Sequence, residues 1–287
     1  MIEIIIDMKL YHLYRIFIAN YKMSDIFNTI GHEWRHTCKQ VDEVVSSARA
    51  MSGWALRTFK TRERFPMITV WNTIIRPSLD YCSPLWSPRP SNFKEIDLLE
   101  ETLRSFTRKI NGMDGLDYAQ RLKKLNMNSV QRRHERYKII YTYKIKEGLV
   151  PNISDAHGLK FKYGRLGCHC EVPIYPINGR AVKARDNSFA LTARNLWNSL
   201  PRCVRDISGQ KVEYFKRKLD GVLYCFPDVP RCSSQGHSQD KNGRNSNSLC
   251  DHYKNPRVKE SMVTWSNWLI FRWNMLIQLN NCLGYVI

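Results

Sequence analysis

Apolar residues recur at helical spacing through the middle of the chain, and this pattern predicts a mainly α-helical fold. From Gln40 to about Phe59, one face of an amphipathic helix is formed by Val41, Val44, Val45, Ala48, Met51 and Ala55. A second helical run starts near Pro66, a residue type tolerated in a first turn. Its apolar face is formed by Ile68, Trp71, Ile75 and Leu79. Pro77 is expected to kink this helix, because proline lacks the backbone donor and its ring clashes with the preceding turn.

The clearest helix in the sequence follows Asn92. Asn92 and Glu95 form an N-cap and N3 pair, which is typical of a helix start. The apolar face then carries Ile96, Leu99, Leu103, Phe106 and Ile110. Gly112 is expected to close this helix, because glycine adopts the left-handed conformation common at helix ends.

Two more helices are predicted before the chain reaches Pro151. A short one spans about Tyr118 to Leu125. Asn128 and Gln131 are predicted to cap the next, which runs to Lys146. Glycine and proline follow and end the helical pattern.

The pattern changes beyond Pro151. Leu159, Phe161 and Tyr163 alternate with lysines, which predicts a short strand with one solvated face. Glycine, proline and charged residues fill the stretch to Asn187. A further helix carries Phe189, Ala193, Leu196, Trp197 and Leu200 and is ended by Pro201. A last amphipathic helix carries Val212, Phe215, Leu219 and Val222.

These elements predict an irregular helical bundle with a short β or irregular segment around residues 158–186. The ends are expected to be disordered or poorly ordered. Residues 231–260 are rich in Ser, Asn, Gln, Lys and Gly, a composition that buries little apolar surface. Residues 265–287 are apolar and aromatic but are interrupted by Arg272 and several amide side chains. They are therefore not expected to span a membrane.

The net charge of +19 narrows the class of partner. Such an excess repels itself in the folded state, and a polyanion commonly neutralises it. Nucleic acid is the favoured partner on this ground. An anionic membrane surface and a chance excess of basic residues remain alternatives.

Cysteine usage and the first residues of the chain favour the nucleus or cytoplasm. The nine cysteines form an odd and irregularly spaced set, typical of reduced thiols in an intracellular compartment. Acids interrupt the apolar run at the start of the chain, so a secretory signal is not expected there.

Clustered basic residues on the helices predicted at 92–110 and 128–146, and between them, are the candidate contacts to nucleic-acid phosphate. The guanidinium fork suits bidentate phosphate contacts. The candidate residues are Arg104, Arg108, Lys109, Arg121, Lys124, Arg132, Arg133 and Arg136. Tyr137, Tyr141 and Tyr143 lie among them and are candidates for base stacking. The alternative is a solvated helix face over a tyrosine-lined core, with the cations of the last turn matching the helix dipole.

Metal and catalytic motifs are weak in this sequence. Cys168, His169 and Cys170 are too closely spaced for a complete zinc site. An irregular zinc set remains an alternative to free thiols: Cys225, Cys232, His237, Cys250 and His252. The sequence contains no Gly-rich phosphate loop, nucleophile elbow or paired-aspartate turn. We therefore predict no catalytic residue and no cofactor.

Several motifs between residues 41 and 225 occur in an informative order. Residues 75–88 are I-R-P-S-L-D-Y-C-S-P-L-W-S-P, and D-L-L-E and R-S-F-T-R-K-I follow at 97–100 and 104–110. N-L-W-N-S-L-P at 195–201 and F-K-R-K-L-D at 215–220 complete the series. The series resembles the region C-terminal to the polymerase core in reverse transcriptases of jockey-like non-LTR retrotransposons (LINE elements).

The resemblance implies a domain division and a function. It implies a thumb-like helical domain at 39–150 and a post-thumb α/irregular region at 151–225. Residues 1–38 match poorly, as do the linker and apolar tail at 226–287. In the family the whole protein is an RNA-directed DNA polymerase, whose palm and aspartate turn lie upstream of this region. The arginine-bearing helices would then grip the backbone of template and primer.

The sequence therefore predicts a catalytically incomplete reverse-transcriptase fragment that is not itself an enzyme. It is expected to bind RNA or DNA backbone non-specifically and to have a polymerase core supplied in trans as a partner. Three alternatives remain open: a restriction-like endonuclease, for which Asp228 is the only hint, a zinc-dependent nucleic-acid-binding module, and an inert relic.

Overall fold

A computed structural model describes most of the central part of the chain. The described residues are 34–90, 92–150, 158–165, 167–172, 188–230 and 248–249. This part is mostly helical and contains one two-stranded hairpin, which confirms the predicted fold class. The predictions for residues 1–33, 231–247 and 250–287, and for the part of the predicted irregular segment at 173–186, lie outside the described residues.

Helix α1 spans Trp34–Thr58 and begins earlier than Gln40, where its apolar pattern starts. The second helical run is divided into α2 (Arg64–Val70), a π-helical turn (Trp71–Ile75) and α3 (Arg76–Asp80). The irregularity expected at Pro77 therefore takes the form of a π turn directly before it. Pro77 has no backbone N–H to donate to the preceding turn. The wider π turn accommodates this missing hydrogen bond, so the chain stays helical from α2 into α3.

Helices α4 (Ser83–Trp86) and α5 (Phe93–Thr107) follow. Helix α5 starts as predicted, but the side chain of Asn92 makes no capping hydrogen bond. It also ends before Gly112, which lies in the following turns with φ +72°. Helix α6 has the predicted bounds, Tyr118–Leu125.

Helix α7 spans Val130–Lys146. The predicted cap at Asn128 is wrong: Ser129 caps the helix, and its hydroxyl accepts a hydrogen bond of 3.1 Å from the backbone N–H of Arg132. Most residues in the first half of this helix are buried, including the charged residues Arg132, Arg133 and Glu135. The helix therefore lies at the centre of the described structure.

The predicted strand β1 (Lys160–Gly164) pairs with an antiparallel strand that was not predicted, β2 (Gly167–Glu171). The alternation expected in β1 holds only in part, because Leu159 is buried whereas Tyr163 is 65% exposed. Gly167 has φ +85°, and a Cβ atom there would lie 2.5 Å from a carboxylate oxygen of Asp206. This position therefore requires glycine.

The last helices are α8 (Phe189–Ser199), α9 (Arg202–Arg205) and α10 (Val212–Tyr224), of which α8 and α10 were predicted. Asn198 of α8 holds β2 through both backbone groups of Cys170, accepting from its N–H at 2.9 Å and donating to its carbonyl at 2.8 Å. The hairpin is thus anchored by polar contacts to the helices.

The apolar residues form two clusters. One is built by α1 to α6 and extends to Val130. The other contains Ile139, Ile140, Tyr143 and Ile145 of α7 together with residues of the hairpin and of α8 to α10. Helix α7 contributes to both clusters, and the domain boundary near residue 150 stays a prediction. Within the described ranges, no helix has both the length and the apolar character needed to cross a membrane.

Candidate nucleic-acid interface

The predicted phosphate-contacting residues divide into a buried and an exposed group. Arg104, Arg121, Arg132 and Arg133 are buried, with relative exposures of 2 to 6%. Arg104 donates to Asp97 at 2.8 Å and also pairs with Glu101. Its guanidinium lies 5.4 Å from the ring centre of Tyr118. In this conformation Arg104 faces protein carboxylates rather than solvent.

Arg121 and Arg132 bond to the backbone of neighbouring segments. The guanidinium of Arg121 lies 5.6 Å from the ring centre of Tyr118 and donates to the carbonyl of Leu116 at 2.9 Å. Arg132 donates to the carbonyl of Pro227 at 3.0 Å. Both guanidinium groups therefore hold the fold together.

Asp80 joins the motif at residues 75–88 to α7. Its Oδ2 accepts from Arg76 at 2.9 Å and from the hydroxyl of Tyr137 at 3.1 Å, and its Oδ1 accepts from Arg133 at 3.3 Å. Burial opposes ionisation of this carboxyl, but Arg133 and the other cationic and hydrogen-bonding groups hold its pKa well below the usual value. Asp80 is therefore an ionised structural anchor.

The rest of this motif also docks on α7. Lys138 donates to the carbonyl of Ser87 at 3.1 Å, and His134 Nε2 lies 2.9 Å from the carbonyl oxygen of Leu79. The rings of Trp86 and His134 meet edge to face. The motif at residues 75–88 thus packs against α7.

Arg136 is partly exposed and pairs with Asp220 of α10 through two hydrogen bonds. The predicted stacking tyrosines are also engaged inside the protein. Tyr143 is fully buried and stacks on Phe215 with ring centres 3.9 Å apart. Tyr141 meets Phe189 edge to face, and the hydroxyl of Tyr137 is bonded to Asp80. The alternative of a tyrosine-lined core describes these contacts better than a stacking surface does.

The exposed predicted residues, Arg108, Lys109 and Lys124, lie with other exposed cations that the sequence reasoning did not select. We call this set the basic corner. Its members are Arg57, Lys60, Arg64, Arg108, Lys109, Lys123 and Lys124, all of them exposed.

Backbone contacts bring the segments of the basic corner together. The N–H of Asn111, just after α5, donates to the carbonyl of Arg62 at 2.9 Å, and its side chain donates to Glu63 at 2.9 Å. Lys124 of α6 donates to the carbonyl of Gly112 at 2.9 Å. Arg62 in turn donates to the carbonyl of Leu56 at 2.6 Å, which holds the 59–63 loop on the end of α1.

The ends of α1, α5 and α6 therefore meet with their exposed cations in one region. Three exposed acids lie in the same segments: Glu63, Asp114 and Asp117. Cations outnumber them, so the corner has a positive potential. Part of this arrangement is explained locally, because cations near helix C-termini are stabilised by the helix dipole.

The sequence pattern of any one helix does not predict the basic corner. Arg57, Lys60 and Arg64 belong to a different chain segment from Lys109, and the tertiary contacts between these segments, including the bond from Asn111 to Arg62, bring them together. Spacing along one helix selected Arg104 instead, which is buried.

No group of three or more potential metal ligands occurs in the part of the chain that the structure describes. Cys168 and Cys170 are buried, whereas His169 is exposed on the opposite face of β2. Burial raises the pKa of the Cys170 thiol to about 12, which opposes the thiolate that zinc requires. Cys225 is a free thiol, and the other four residues of the predicted zinc set lie outside the described residues.

Asp228, the candidate nuclease residue, caps the start of α7. Its Oδ2 accepts from the N–H of Ser129 at 2.7 Å and its Oδ1 from the hydroxyl of the same residue at 2.8 Å. This geometry ties the segment after α10 to α7.

Comparisons of the chain with models of protein families, with curated proteins and with solved structures find no match to any of them.

Proposed function

We propose that the protein binds the phosphate backbone of RNA or DNA through the basic corner, as a thumb-like helical region of the reverse-transcriptase type would. The convergence of exposed cations from three chain segments carries this proposal. Strand synthesis is assigned to a polymerase core supplied in trans, because this sequence contains no paired-aspartate turn. The proposal places the protein in the nucleus or cytoplasm.

Physical chemistry favours a backbone contact over base recognition. Exposed lysine and arginine side chains displace the counterions condensed on nucleic acid, and this release drives binding regardless of sequence. Contacts to phosphate position a nucleic acid without identifying its bases. The cations of the basic corner come from several chain segments rather than from one helix face, so we expect low sequence specificity.

The buried arginines have a supporting role in this proposal. The contacts of Arg104 and Arg121 fix α5 against α6. Four members of the corner lie on α6 or directly after α5. Asp80 and Arg133 hold the 75–88 motif on α7. The motifs of the family resemblance would thus build the platform, while the exposed cations contact the ligand.

The test is a charge-reversal variant that changes one exposed cation from each segment: Arg64→Glu, Lys109→Glu and Lys123→Glu. The matched control reverses three exposed cations at α10: Lys211→Glu, Arg217→Glu and Lys218→Glu. Binding to a DNA duplex is measured by fluorescence anisotropy near physiological salt. Losing three phosphate contacts should weaken binding roughly 100-fold. The control should change it much less.

Equal affinities of the wild type and the corner variant would contradict the proposal, as would a larger loss in the α10 control. Circular dichroism of both variants verifies folding, and all six substituted side chains are exposed. Metal-dependent nicking of a plasmid by the purified wild type would instead favour the nuclease alternative.

A further inference from the structure

Two aromatic side chains are exposed at the basic corner. Trp54, near the end of α1, is 43% exposed, and Phe65, in the first turn of α2, is 81% exposed. Leaving such rings in water forgoes the free energy that their burial would provide. Exposed apolar residues also occur elsewhere in the chain, but these two are interleaved with cations: Arg57, Lys60 and Arg64 lie between them in the sequence.

Trp54 lies near the end of α1 and packs on a residue of the following loop. Its ring meets the half-buried ring of Phe59 edge to face, with centres 6.2 Å apart. Arg57 follows three residues later, and residues three apart on a helix share a face. The indole therefore packs on Phe59 and is on the same helix face as Arg57.

Phe65 is held close to the same helix end by the loop between α1 and α2. Arg62 donates to the carbonyl of Leu56 and to that of Phe59, which folds the loop back on α1. The N–H of Asn111 fixes the carbonyl of Arg62 at 2.9 Å, just ahead of Phe65. The exposed ring of Phe65 thus follows a loop whose backbone is fixed by hydrogen bonds, and it is adjacent to Arg64 in the sequence.

We infer that the basic corner binds single-stranded nucleic acid, with bases stacked on Trp54 and Phe65 and phosphates paired with Arg57, Lys60 and Arg64. This inference rests on the proposed function and adds the substrate class. Every nucleobase presents a π face, so aromatic platforms between cations bind single strands with little sequence preference. In a duplex the bases are stacked on each other and their faces are covered, so the rings gain nothing there.

The cations favour this occupant over an apolar protein surface. A protein partner that covered the two rings would also desolvate the charged groups of Arg57 and Arg64, at a cost unless each found an acid. A single strand supplies a ring face and a phosphate with each nucleotide. The alternation of aromatic and basic residues along 54–65 matches that chemistry.

The test uses Trp54→Leu and Phe65→Leu, which remove the aromatic face but keep an apolar side chain. Each variant is titrated with a fluorescent single-stranded oligonucleotide of about 12 nucleotides and with a duplex of the same length. Single-strand binding should weaken roughly 5- to 100-fold for each substitution, the range measured for loss of one stacked base. Duplex binding should stay unchanged.

Tyr224→Leu is the matched control, because Tyr224 is 87% exposed at the end of α10, outside the corner. It should leave both affinities unchanged. Loss of binding to both ligands, or to neither, in the Trp54 and Phe65 variants would overturn the inference. Sedimentation could also show that the wild type self-associates and that Phe65→Leu does not. That result would overturn the inference, because the ring of Phe65 would then contact a second copy of the chain instead of a base.

The charge-reversal variant separates this result from the proposed function. The charge-reversal variant could weaken binding to both ligands while the leucine variants weaken neither. That result would support phosphate binding by the corner and contradict base stacking on Trp54 and Phe65. If the charge-reversal variant binds as the wild type does, the proposed function itself fails.

Discussion

Glu100 offers the most direct test of the polar core between α5, α6 and α7. Its side chain is 1% exposed. The hydroxyl of Tyr118 donates to it at 2.7 Å and the backbone N–H of Gln131 at 2.8 Å. Burial raises its pKa to about 7, with a smaller contribution from Asp228, while Gln131, Tyr118 and Arg133 act in the opposite direction. In the folded state this carboxyl is therefore protonated below about pH 7 and ionised above it.

The magnitude follows from the pKa difference between the folded and unfolded states. The pKa of Glu100 is about 7 in the folded state and 4.5 in an ordinary environment. At 1.36 kcal/mol for each pH unit, ionisation costs the folded state on the order of 3 kcal/mol. Protonation of Glu100 contributes its full stabilisation of the folded state below pH 4.5. This contribution is lost as the pH rises through 7. Glu100→Gln stays neutral and does not have this dependence.

Urea unfolding of the wild type and Glu100→Gln between about pH 5 and pH 8 measures the effect. At pH 5 the variant should be up to about 1 kcal/mol less stable, because the amide must reorient the hydrogen bond with Tyr118. At pH 8 it should be more stable, by roughly 2 kcal/mol. Asp114→Asn, a change at an exposed acid, is the control. A stability difference between Glu100→Gln and wild type that is independent of pH would refute the reasoning.

Two further predictions concern structural anchors. Asp80→Ala should destabilise the protein by about 3–5 kcal/mol, because it leaves the buried Arg133 guanidinium without its carboxylate. Asp220→Ala, which removes the half-exposed partner of Arg136, should cost less than about 1 kcal/mol, and equal losses in urea unfolding would contradict the assigned roles. Gly167→Ala should cost at least about 1–3 kcal/mol from backbone strain at φ +85° and the clash with Asp206, and an unchanged thermal midpoint would show that the turn tolerates a side chain.

The helices were predictable from sequence where local signals agree. The segment 118–125 combines a capping pair, since the side chain of Gln120 accepts from the N–H of Asp117 at 3.0 Å, with apolar residues on one face. Strand β2 could not be predicted in this way. It is fixed by distant groups, such as Asn198 and Asp206, that bond to its backbone. These contacts exist only after the chain has folded.

The candidate site was only partly predictable for a related reason. Arg104 and Arg108 are four residues apart and were expected to share an exposed face. Helix α5 ends at Thr107, so only the first of them lies within the helix, where it is covered and paired with Asp97. Which cations meet an acid inside the protein depends on tertiary packing. The corner cations lie at or near helix ends and are exposed.

The salt dependence of nucleic-acid binding by the wild type tests the central claim most directly. With about 6 phosphate contacts, affinity for a DNA duplex should fall roughly a thousandfold between 50 and 200 mM salt. The logarithm of the affinity should fall linearly with the logarithm of the salt concentration. An affinity that does not change with salt, or an absence of binding at the lower concentration, would contradict the account.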